Sequence, residues 1–69
     1  MTKEELEAMK DVELARFHDI ASEMSADRAR YPDDVRGLAG SEEQAALVVI
    51  KERERRLGRK LPTRRPRLY

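Results

Sequence analysis

Ala45-Ala46-Leu47-Val48-Val49-Ile50 is an uninterrupted apolar run, and whether it is strand or helix decides the fold. Periodicity alone suits a buried strand as well as a helix. The flanks decide the question. Before the run, Ser41-Glu42-Glu43-Gln44 has the pattern of a capping box, a serine that caps an amide three residues on and an acid or amide that reaches back. After it, Lys51-Glu52-Arg53-Glu54-Arg55-Arg56 is a run of charged helix formers. Gly58 then stands where a left-handed C-terminal cap belongs, with Pro62 beyond it. The spacing predicts a helix over 42–57. On its wheel Leu47, Ile50 and Leu57 take one side and Val48 lies nearly opposite, so two turns are apolar all round. One neighbouring helix cannot cover that surface.

The neighbour is written at the start of the chain. Thr2-Lys3-Glu4-Glu5 is another capping box, and acids at 4, 5 and 7 suit the positive end of a helix. Leu6, Met9, Leu14, Phe17, Ile20, Ala21 and Met24 fall within an arc of about 140° at 100° per residue, which predicts one amphipathic helix over about 3–29. Glu13 interrupts the stripe, and its expected partner is Arg53 or Arg56 across the pair, or else solvent. Tyr31-Pro32-Asp33-Asp34 should end this helix and open a loop over about 30–41, because the residue before proline leaves the helical region and Pro-Asp-Asp suits a turn. The expected fold is therefore all-α. It is a two-helix, coiled-coil-like antiparallel hairpin over 1–58, followed by an extended basic tail over 59–69 that carries two prolines and no periodicity.

Composition agrees with this reading. The chain has 69 residues, of which 42% are charged and 4% aromatic, and a mean hydropathy of −0.84. That length allows one domain with a small core. The absence of cysteine excludes a disulfide framework, a thiolate zinc site and thiol catalysis. No apolar run approaches the length of a membrane helix, and Thr2 to Lys10 lacks the basic and then apolar order of a signal peptide, so a cytoplasmic location, or a cytoplasmically assembled particle, is expected. Arginine outnumbers lysine eleven to four, a composition typical of a high-GC bacterium or its phage.

The net charge of +1 conceals an asymmetry, since residues 1–35 carry −5 and residues 36–69 carry +6. A basic half is a recognised sign of contact with nucleic acid or with an acidic partner, although in a hairpin the two halves can also neutralise each other.

Catalytic machinery is nearly absent from the pattern. His18 is the only histidine and falls off the apolar stripe beside Asp19, where a solvated surface position is expected. Asp33 and Asp34 read as turn residues. Gly37-Leu38-Ala39-Gly40 matches the Gly-x-x-Gly of an RNA-clamping loop, but its flanks are not basic and no strands accompany it. Pro62 and Pro66 are spaced wrongly for a Pro-x-x-Pro ligand, and the tail is too polar and too proline-broken for a membrane-surface helix. No phosphate-binding loop, dinucleotide fingerprint or metal motif occurs, so no enzyme activity, cofactor or metal is expected.

The surplus apolar surface points instead to protein binding. The expected function is a small non-catalytic interaction module, self-associating or docked as an accessory, adaptor or inhibitor component of a larger assembly. Its apolar contact residues would be Leu47, Val48, Val49, Ile50, Phe17, Ile20 and Met24. The alternative is a nucleic-acid-binding accessory protein using Arg55, Arg56, Arg59, Lys60, Arg64, Arg65 and Arg67, whose guanidinium forks suit phosphates. Neither a membrane nor a small-molecule substrate is expected as a partner.

Overall fold

In the computed structural model, which describes residues 1–67, Thr2 opens the first helix as its sequence requires. Its Oγ1 accepts the Glu5 N–H at 3.2 Å, and Glu5 Oε1 accepts the Thr2 N–H at 2.9 Å. This helix, α1 (Lys3–Ala8), stops far short of the expected 29. Met9 and Lys10 both adopt extended backbone, and a fresh helix, α2 (Asp11–Ala26), starts after them. Lys10-Asp11-Val12-Glu13 carries its own start signal, because Glu13 accepts the Lys10 N–H at 2.9 Å and Asp11 and Glu13 supply acids to the first turn. Glu13 is thus occupied by its own helix end and does not pair with Arg53 or Arg56.

The connection after α2 is short. Asp27 organises it, accepting the Arg30 N–H on its side chain and the Tyr31 N–H on its backbone, both at 3.1 Å. Helix α3 (Asp33–Leu57) then begins directly after Pro32. The expected loop over 30–41 is therefore mostly helix, and Ser41-Glu42-Glu43-Gln44 lies inside α3, where it caps nothing. The physical reason lies in Pro32 and the charged residues of the first turn. Proline is well tolerated where no backbone N–H is needed, Asp33 and Asp34 sit at the positive end of the helix, and Arg36 pairs with Asp33 one turn on. Gly37 and Gly40 weaken the segment without breaking it. The helix ends as its sequence predicts, with Gly58 left-handed at φ 71° and its N–H donated to Glu54 O at 2.8 Å.

The chain is all-α, with three helices and no strand among the described residues. At about 1.5 Å per residue α3 alone accounts for the 37 Å long dimension. Helix α2 packs against α3, and α1 lies against α3 as well. Leu6 of α1, Leu14 of α2, and Ala46, Val49 and Ile50 of α3 form the core, with Met9 and Phe17 at its margin. Leu61 completes this core at 3% exposure. The residues after α3 are thus no free tail. They have no regular secondary structure, but over 59–67 they turn back onto the helices, while residues 68 and 69 of the expected tail lie outside the described residues.

The helical state of the 33–41 segment has a measurable consequence. A Cβ on Gly37 would meet nothing within 4 Å. Gly37→Ala should therefore raise stability by about 0.5–1 kcal/mol in urea unfolding, the ordinary gain for glycine in an exposed helix interior. A neutral or destabilising effect would mean that residues 33–41 are not helical.

Candidate interaction site

The restart at Asp11 sets the rotation of α2 independently of α1, and this changes which side chains face α3. Leu14, Ala15, His18, Ala21 and Ser22 are the buried ones. His18 is fully buried, contrary to its expected surface position, because the break uncouples it from the Leu6–Met9 stripe and places it four residues after Leu14 on the inner face. Its Nδ1 lies 3.1 Å from Asp19 Oδ1, a geometry in which the ring N–H donates to the carboxylate. Its Nε2 is 3.9 Å from Glu43 Oε2, too long for a hydrogen bond, and has no other partner. Glu43 is itself buried and accepts the Ser25 hydroxyl at 3.3 Å. This polar cluster joins the two helices away from the apolar core.

A second polar device holds the chain beyond α3. Asp19 accepts the N–H groups of Arg64 and Arg65 at 2.9 and 3.1 Å, and Arg65 Nε reaches Ser22 Oγ at 3.3 Å. Glu54 accepts the Leu61 N–H at 2.6 Å and the Arg67 guanidinium through both oxygens, at 2.7 and 2.6 Å. Partial burial raises the Asp19 carboxyl, but the two amides and His18 outweigh it and leave the group below the usual carboxylate value. The Arg67 fork, opposed by partial burial and helped by the Leu61 amide, lowers Glu54 from 4.5 to about 2. Asp11 is lowered too, first by Arg59 at 2.6 Å and then by Arg53 at 3.1 Å.

The residues expected to carry function divide accordingly. Leu47, Val49 and Ile50 are buried, so their apolar surface is used inside the chain, and of the four expected contact residues 47–50 Val48 alone faces outward, at 45% exposure. Among the basic residues, Arg55, Arg56 and Lys60 are exposed at one end of α3. Arg59 is paired with Asp11, Arg67 with Glu54, and Arg64 and Arg65 hold Asp19 through their backbones.

Phe17, Ile20 and Met24 stay together. They lie on the flank of α2 and form one wall of an open groove whose other wall is the start of α3, with a volume of about 460 Å³. Ile20 is 52% exposed, while Phe17 and Met24 are half-buried. Val35 and Leu38 face them, with Ala39 and Glu42. The sequence pattern hides these α3 residues, because Pro-Asp-Asp and two glycines give their segment the composition of a loop. Once 33–57 is helical, 35, 38, 39 and 42 share a face by their spacing alone. Among the described residues no helix is long and apolar enough to cross a membrane, and no group of three or more side chains is placed to hold a metal.

No protein-family model matches the chain, and no curated protein or solved structure is significantly similar to it.

The lowered carboxyl of Glu54 gives the folded chain a pH dependence of definite sign. A depressed carboxyl stabilises fully above its unfolded value near 4.5 and loses that contribution as pH falls toward about 2. Between pH 5 and pH 2 the wild type should lose about 1–2 kcal/mol more than Glu54→Gln in urea unfolding, after allowance for solvent screening. Equal losses in the two proteins would mean that Arg67 and Leu61 do not engage Glu54.

Proposed function

We propose that this chain is a small non-catalytic protein–protein interaction module, an antiparallel pair of helices closed by its basic C-terminal segment. The observation that carries the reading is the groove of Phe17, Ile20, Met24, Val35 and Leu38, an open apolar surface on a chain whose other large side chains are mostly internal. A groove between two helices suits an amphipathic helix that inserts two or three apolar anchors. Glu23 and Asp34 beside its walls are acidic, which favours an occupant with basic flanks, while Glu42 within it is already paired with the Met1 ammonium at 2.8 Å. The occupant is therefore a basic amphipathic helix of a partner protein in a larger assembly.

The exposed end of α3 supports a second reading. Arg55, Arg56 and Lys60 lie together without being drawn into the core, as phosphate contacts would require. Nucleic-acid binding through them would show an affinity for labelled duplex that falls steeply with salt, and Arg55→Ala would flatten that slope.

Ile20→Glu separates the two. It should leave far-UV circular dichroism unchanged, since Ile20 lies outside the core. In affinity purification of the full chain from its source cells, it should recover less than a tenth of the protein partner that the wild type recovers. Equal recovery, or recovery of material that nuclease removes, would contradict the groove reading.

A further inference from the structure

A second surface, which meets the groove at Leu38, runs along the outer side of α3, where Asp34, Leu38, Ser41, Ala45, Val48 and Arg55 are all exposed. Leu38, at 70%, is the most exposed large apolar residue among the described residues. Further along the helix, Val48, Lys51, Glu52 and Arg55 surround a shallow hollow of about 390 Å³. Their positions are i, i+3, i+4 and i+7, the four residues that form the hole for a knob from a facing helix.

Knob and hole lie on opposite sides of Ala45. Leu38 is seven residues before it, and the centre of the hole, between 51 and 52, is about as far after it, roughly 10 Å in each direction. A second α3 laid antiparallel across this face, with the crossing near Ala45, brings its Leu38 over the hole. The same register sets Asp34 opposite the partner's Arg55, Asp33 opposite the partner's Arg56 and Ser41 opposite the partner's Val48. Small side chains at 41 and 45 let the two helices approach closely. The acidic residues stand at one end of the face and the basic ones at the other.

We infer that this face is a two-fold self-association surface whose occupant is a second copy of the chain, each Leu38 seated in the partner's hole and each Asp34 paired with the partner's Arg55. Self-complementarity identifies the occupant. A two-fold interface requires a patch that matches its own reversal, and this one does so in shape and in charge at a single register. The inference rests on the reading of the chain as an interaction module and gives one of its surfaces a definite occupant.

Reversing one charge at a time tests it. Analytical ultracentrifugation of the full chain at low salt should show a concentration-dependent dimer. Asp34→Arg alone, or Arg55→Asp alone, places like charges at both ends of the dimer and should weaken it at least tenfold. Mixing the two variants matches the reversed groups with each other at one end and keeps the native pair at the other, so the mixture should dimerise like the wild type. Val48→Glu, which changes the rim of the hole and leaves every groove residue in place, should be monomeric with unchanged helicity. A wild type monomeric at every concentration, single variants that dimerise normally, or a mixture that stays monomeric would each overturn the inference. None of these outcomes touches the groove, whose own test depends on Ile20 of α2.

Discussion

Arg53 bridges the break between α1 and α2, and the arrangement of the remaining elements depends on that contact. It projects from α3 and is 9% exposed. One nitrogen donates to Met9 O at 2.8 Å and to Asp11 Oδ1 at 3.1 Å, and the other to Glu7 O at 3.0 Å. The last carbonyls of a helix have no partner within it, and α1 has no basic residue in its own last turn to supply one. The planar fork of arginine meets several acceptors at once, which the single ammonium of lysine cannot do. Asp11 offsets the buried charge. Hydrogen bonds to a charged group contribute about 1.5–3 kcal/mol each, so the bridge is large against the stability of a chain this small. A helix of six residues has no stability alone, and α1 keeps Leu6 in the core because Arg53 and the α3 surface hold it there.

The opposed charges of the two halves are met largely inside the chain. Asp11 takes Arg53 and Arg59, Asp19 takes the backbone of Arg64 and Arg65, and Glu54 takes Arg67. Each of these contacts joins residues far apart in sequence, and together they bring Leu61 into the core. This internal use narrows what the basic half offers to a partner. Arg55, Arg56 and Lys60 are exposed at one end of α3, with Asp33 and Asp34 at the other, and Arg64, held to Asp19 only through its backbone, is exposed as well. The surplus apolar surface is redistributed in the same way, since the Leu47–Ile50 run fills the core and the open groove lies beside Phe17, Ile20 and Met24.

Helical class, the Thr2 cap, the Gly58 stop and the main apolar residues are legible in the sequence because each rests on a local pattern. The break at Met9 and Lys10 is not, although Asp11 and Glu13 mark a helix start. An apolar stripe that runs on through a kink still looks continuous on a wheel. A continuous wheel keeps Leu14 and Ala21 inside but puts His18 outside and passes over Ala15 and Ser22, whereas the restarted helix turns these three inward as well. In residues 33–41 the glycines and the Asp-Asp pair suggest a loop, but the Pro32 start, the acids of the first turn and burial of Ala39 hold the segment as the first turns of α3. The folding back of 59–67 depends on carboxylates at 19 and 54, contacts that no local pattern in a proline-rich basic stretch reveals.

The groove and the outer face of α3 both presuppose that α2 holds its place on α3, and at the end near α1 the Arg53 bridge fixes it. Arg53→Lys keeps the charge and removes the fork, so urea unfolding of this variant at neutral pH is the most direct test. The expected result is a loss of about 2–4 kcal/mol relative to the wild type. A loss below about 0.5 kcal/mol, the range of an ordinary surface substitution, would contradict the bridging role of Arg53.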